Sequence, residues 1–129
     1  MKNFSALKRF FRNKKEIRAA YLFGSYANGN SNKMSDIDIA VLVDSKALLK
    51  KIPYGYKSQL ITELIKFLKN QNVDLVILNQ ASIFLRHQVI STGKLLYSRN
   101  EWDRVCFQAD TMNRFPDIER LMSVHWDSK

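Results

Sequence analysis

Residues 36–43 read DIDIAVLV, and no other stretch of the chain restricts the fold as tightly. Strict alternation over that length marks a β-strand, whose side chains point in turn to opposite faces. Ile37, Ile39, Val41 and Val43 make one wholly apolar face, which must be buried. The other face opens on Asp36 and Asp38 and continues with Ala40 and Leu42. Two carboxylates so spaced lie about 6–7 Å apart at the backbone. At an effective dielectric near ~20 they repel by roughly 2–3 kcal/mol. A solvated strand end tolerates that repulsion. A divalent cation reverses it, and oxygen-only ligands favour Mg²⁺, with Mn²⁺ as the alternative.

The flanking sequence supplies the other parts of a site. Residues 17–23 (IRAAYLF) form an apolar strand that ends at Gly24 and Ser25. Glycine lets a backbone approach a ligand closely, and Ser25 adds a hydroxyl and an amide. A short helix begun by Tyr26, Ala27 and Asn28 would aim free N–H groups at the same place, a ready anion site. Residues 73–78 (VDLVIL) read as a third strand, with Asp74 on the face opposite Val73 and Leu75. If that strand pairs beside residues 36–43, Asp74 joins Asp36 and Asp38. Three carboxylates on neighbouring strands suit a two-metal site. Each part alone is common; their combination is not.

The remaining chain reads as helices around these strands. Phe4, Leu7, Phe10 and Phe11 recur at helical spacing between basic residues. A helix start at 46–51 is interrupted by Pro53 and Gly55, and a longer helix follows with Leu60, Leu64, Phe67 and Leu68 on its buried stripe. Asn79 or Ser82 caps a helix over roughly 83–91, Gly93 stops it, and Leu95, Leu96 and Tyr97 add a short strand. A last helix spans about 101–124, with Pro116 expected to bend or split it. The expected order is α-β-β-α-β-α, an α/β (α+β) fold with a small mixed sheet flanked by helices. Residues 1–129 read as a single domain.

The composition agrees with that reading. Hydrophobic residues make up 46% of the 129, enough for a core. No apolar run approaches the roughly 20 residues of a membrane span. The basic N-terminus lacks a long apolar region and a cleavage site, so it does not read as a signal peptide. One cysteine, Cys106, excludes an internal disulfide and fits a reducing compartment, so the chain reads as cytoplasmic. Cys106 is expected to be buried. Twenty-one basic against twelve acidic residues give +9, which favours anionic partners. His87 reads as a surface or partner-contact residue. His125 has no second ligand at zinc spacing. Trp102, Phe107 and Met112 make the last helix sticky, toward the domain or toward a partner.

Gly24-Ser25, ten intervening residues and Asp36-Ile37-Asp38 resemble the GS-x10-DxD signature of the polymerase-β-like nucleotidyltransferases. The small stand-alone branch, the minimal nucleotidyltransferases, also carries a third Asp in a VDLV-like strand, as Asp74 stands here. IFLRHQVISTGKLLYS resembles that branch's helix-Gly-strand segment. Many relatives carry Arg where this chain has Asn28, and Lys33 is the nearby cation. The resemblance implies transfer of a nucleoside monophosphate from a nucleoside triphosphate to a hydroxyl. Asp36, Asp38 and Asp74 are then metal ligands and catalytic residues, and Gly24 and Ser25 bind the β- and γ-phosphates. Resemblance to the MntA-type antitoxins of HEPN/MNT toxin–antitoxin systems implies ATP as donor and a tyrosine of a HEPN-type toxin as acceptor. Oligomers would then form through that partner. With so short a chain, nucleic acid is a poor acceptor. Two alternatives stand beside this: an aminoglycoside-type small-molecule nucleotidyltransferase, and an antitoxin that inhibits by contact alone.

Overall fold

The structure is a computed structural model that describes residues 4–24 and 36–127, with side chains described from Ser5 to Arg114. Five α-helices and four strands follow in the order α1 (Phe4–Arg12), β1 (Ile17–Phe23), β2 (Ile37–Val43), α2 (Ser45–Leu48), α3 (Gly55–Leu68), β3 (Val73–Ile77), α4 (Ile83–Thr92), β4 (Lys94–Ser98) and α5 (Glu101–Asp127). A 3₁₀ turn, Leu78–Gln80, follows β3. The sheet order is β3-β2-β1-β4. β1 runs antiparallel to β2 and β4, while β2 and β3 are parallel and joined by the α2–α3 crossover.

The alternation of residues 37–43 decides how the sheet is covered. Ile37, Ile39, Val41 and Val43 pack with Leu75 and Ile77 of β3, Leu7 and Phe11 of α1, and Leu60 and Leu64 of α3. On the other face Ala40 joins Ala19, Tyr21 and Phe23 of β1, Val89 of α4 and, partly buried, Phe107 of α5. Burying each large aliphatic side chain contributes about 1.5–3 kcal/mol. Register shifts in β1 let Ile17 and Ala20 share the first face while Ala19 and Tyr21 turn to the second.

Polar side chains tie the strand ends. The Asn79 amide donates to the Val43 carbonyl at 2.7 Å and accepts from the Val43 N–H at 2.9 Å, continuing the ladder beyond the last β2–β3 pair. Arg99 donates to the carbonyls of Ile17, Arg12 and Lys14 at 3.1, 2.7 and 3.1 Å, fastening α1 to β1. Asp44 caps α2 through the Lys46 N–H and pairs with Arg18 at 3.2 Å.

Most expected elements appear, with corrections. Asp44 starts the helix expected over 46–51 one residue early, and it ends at Leu48, before Pro53. Ser82, not Asn79, caps α4, accepting from the Leu85 N–H at 3.2 Å. The α3 stripe runs through Leu60, Leu64 and Leu68; Phe67 is 37% exposed and stacks on Phe10 instead, ring centroids 4.9 Å apart. α5 is not split, because its helix is continuous through Pro116. Proline removes one helical N–H and crowds the preceding turn, yet the helix runs on to Asp127. Cys106 is exposed, since Phe107 and Thr111 take the inward face of α5 and Cys106 lies beyond it. Of the three sticky residues, Phe107 packs on the domain while Trp102 and Met112 point outward.

Candidate active site

Four of the expected site residues meet at one end of the sheet. Phe23, the last residue of β1, is the register partner of Asp38, and Asp38 is the register partner of Asp74. Hydrogen-bonded neighbours stand about 4.8 Å apart at the backbone, and both carboxylates rise on the α4–α5 face. Asp36 lies just ahead of β2, two residues before Asp38, and is exposed. The Ile37 N–H donates to the Asn72 carbonyl at 2.7 Å, holding the approach to β3 against the start of β2.

Gly24 closes the arrangement. Its φ of +75° is a conformation that other residues adopt at a cost. A Cβ added there would lie 2.2 Å from Oδ2 of Asp38, so the turn's backbone rests directly against the carboxylate. Only glycine permits that contact. Ser25, Asn28 and Lys33 lie outside the described residues, so the phosphate-binding half of the expected turn is not described beyond Gly24.

The electrostatics follow from this crowding. Burial pushes the Asp38 carboxyl above the ordinary aspartate range, and the charges of Asp74 and Asp36 push it further. A cation there would offset the repulsion among these carboxylates. Among the described residues no three acidic, His or Cys side chains close tightly enough to cage an ion by themselves. The oxygen-only set instead fits Mg²⁺, which characteristically takes one or two carboxylates and completes its shell with substrate phosphates and water. The open end of the sheet, where Gly24 rests against Asp38, leaves room for such a shell.

The other singled-out residues stand apart. His87 lies on α4 and Cys106 on the outer face of α5. A cleft of about 200 Å³ lined by Lys14, Glu16, Tyr56 and Glu63, among others, lies on the opposite face of the sheet. Its polar groups satisfy one another: Lys14 pairs with Glu63, and Tyr56 donates to Glu16 at 2.7 Å. It has no part in the carboxylate site. Sequence reading missed two supports of the site's frame. One is Asn79, whose position after an apolar strand suggested a helix cap. The other is Tyr21, buried under the site face, whose hydroxyl accepts from Gln108 of α5 at 3.0 Å. Its burial raises the phenol's pKa and keeps it neutral.

Comparison with known proteins agrees with this geometry. The family model "Polymerase beta, Nucleotidyltransferase" matches residues 5–102. The chain is 33% identical over 104 residues to the protein adenylyltransferase MntA of Shewanella oneidensis, covering 81% of this chain and 70% of that one. It superposes with a TM-score of 0.75 on a toxin–antitoxin crystal structure with AMP-PNP, at 31% identity over 96% of this chain and 94% of the other. A structure of tri-AMPylated S. oneidensis HEPN toxin in complex with MNT antitoxin matches with a TM-score of 0.69, at 30% identity over 95% of this chain and 91% of the other. With the family model spanning three quarters of its length and these relatives alike in sequence and fold, the chain belongs to the polymerase beta nucleotidyltransferase family.

Proposed function

We propose that this protein is a Mg²⁺-dependent adenylyltransferase that moves AMP from ATP to a tyrosine hydroxyl of a HEPN-type toxin, acting as its antitoxin. The observation that carries the reading is the alignment of Asp38 with Asp74 across β2 and β3, against the backbone of Gly24. The relatives supply the substrates: one is named a protein adenylyltransferase, one solved complex holds AMP-PNP, and another holds an AMPylated HEPN toxin. Residues 1–129 act as one domain in the cytoplasm, where ATP is abundant. Among the described residues no helix is long and apolar enough to cross a membrane.

Asp36, Asp38 and Asp74 are the residues that hold Mg²⁺ in this reading. The metal's contribution is to neutralise phosphate charge and steady the departing pyrophosphate. Gly24 and Ser25 bind the β- and γ-phosphates through backbone and hydroxyl, fixing the α-phosphorus in front of the carboxylates. Asp74, exposed on edge strand β3, takes the acceptor's proton as its oxygen attacks. Pyrophosphate leaves from the side held by the turn. The chain contributes chiefly positioning and charge complementarity.

The test uses ATP labelled at the α-phosphate, Mg²⁺ and a co-expressed HEPN-type toxin, with the Asp36→Ala/Asp38→Ala double variant as control. Label on the toxin that the double variant fails to deliver sustains the reading. Label confined to a small molecule replaces it with the aminoglycoside-type alternative. No transfer and no ATP binding by calorimetry leaves an antitoxin that works by contact alone.

A further inference from the structure

We infer that Tyr54 is itself an acceptor, adenylylated by the active site of a second copy of this chain. The inference rests on the adenylyl-transfer reading and asks which hydroxyls of the enzyme lie open to its own chemistry. The chain has five tyrosines. Tyr26 lies outside the described residues. Tyr21 and Tyr97 are 2% and 6% exposed, and the Tyr56 hydroxyl is engaged by Glu16 at 2.7 Å. Tyr54 is 94% exposed, and among the described residues nothing bonds its hydroxyl.

Its presentation is enforced by the backbone. Tyr54 sits in the left-handed region at φ 63°, between Pro53 and Gly55, and the Gly55 N–H donates to the Ile52 carbonyl at 2.9 Å. A side chain in that region costs roughly 1–2 kcal/mol. A large apolar ring is thus held in solvent on a strained turn, with no contact that repays either expense.

The surroundings match what the site would receive. Residues 45–62 contain Lys46, Lys50, Lys51 and Lys57 and no acidic residue. The site presents three carboxylates and, when loaded, a triphosphate. A basic turn is therefore drawn toward it even though the chain as a whole is positive. Transfer within one molecule is excluded by the fold. Tyr54 follows α2 beyond the Val43 end of β2, and Asp38 to Val43 alone spans about 16 Å. The step is between molecules. Tyr54 Oη attacks the α-phosphorus of ATP held by the other copy, the bond to the β-phosphate oxygen breaks, and pyrophosphate departs with its electrons. The phenolic proton passes to that copy's Asp74 and on to solvent.

Incubation of the purified chain with ATP and Mg²⁺, followed by intact-mass and peptide analysis, tests this alongside a co-expressed HEPN-type toxin in a parallel tube. The expected result is one adenylyl group on the Tyr54 peptide, forming at an initial rate that rises with the square of protein concentration. Tyr54→Phe should remove the adduct while leaving toxin labelling unchanged. Asp38→Asn alone should stay unmodified but acquire the adduct when mixed with the unsubstituted chain. A labelled toxin with an unmodified Tyr54 overturns the inference and leaves the function standing. A first-order rate, or an adduct on another residue, overturns it as well. Failure to label either protein removes the transfer reading and this inference with it.

Discussion

The two faces of the sheet are built to different ends. Toward α1, α2 and α3 the described residues form one cluster of fifteen buried side chains, and every residue β2 sends there is apolar. Toward α4 and α5 the corresponding cluster has six, and on that same face the start of β2 places Asp38 beside Asp74 of β3. One strand serves both, because alternate residues never share a face. The first face supplies the larger share of the burial free energy. The second gives up apolar cover at one end and uses the rigidity of the first to hold repelling carboxylates in place.

Substitutions can break this division or sharpen it. The largest effect is expected at Ile39, fully buried on the first face: Ile39→Ala should cost about 2–5 kcal/mol in denaturant unfolding. The molecules that remain folded should still bind ATP. A proportionate loss of affinity per folded molecule would mean that the faces are not separable. Next, Asp38→Asn should lower adenylyl transfer by about a hundredfold or more while the metal-free melting temperature stays level or rises. A clear fall in stability would make Asp38 a structural residue. Gly24→Ala comes third. Its methyl must displace the Asp38 carboxylate and its φ is unfavourable, so transfer should drop by roughly tenfold for about 1 kcal/mol of stability.

The smallest effect is electrostatic. Because the Asp38 pKa is raised in the folded chain, its stabilising neutral form is lost as pH rises through that value. The metal-free protein therefore gains stability from this group on mild acidification, and transfer loses its Mg²⁺ ligand over the same range. Asp74→Asn removes a like charge and should bring the Asp38 midpoint down toward the ordinary value, as read by carboxyl NMR. An unmoved midpoint would show that the two side chains do not face one another.

How much of this was legible beforehand depends on the range of the interaction. The alternation of 37–43 and the turn at Gly24 are local patterns, so β1, β2 and the face that carries Asp38 could be read directly. Asp74 needed one assumption, that β3 pairs beside β2, and the register bears it out. The contact between Gly24 and Asp38 joins residues fourteen apart and follows only from the Phe23–Asp38 pairing. Asn79 and Arg99 work through backbone carbonyls that any residue could supply, so nothing in sequence marks them. Cys106 and Phe67 went the other way because a helix with both faces partly apolar does not announce which one turns inward.

The parallel register of β2 and β3 also bears on the errors the fold can make. Slipping β3 by one residue would carry Asp74 away from Asp38 and bring Val73 or Leu75 onto the reactive face. The same slip would turn Leu75 and Ile77 out of the core, exposing two of its buried side chains. An inactive misregistered molecule is therefore also an unstable one, prone to unfold rather than accumulate. Such a design checks its own assembly: a cell holding this chain in folded form holds, by the same token, one whose carboxylates are aligned.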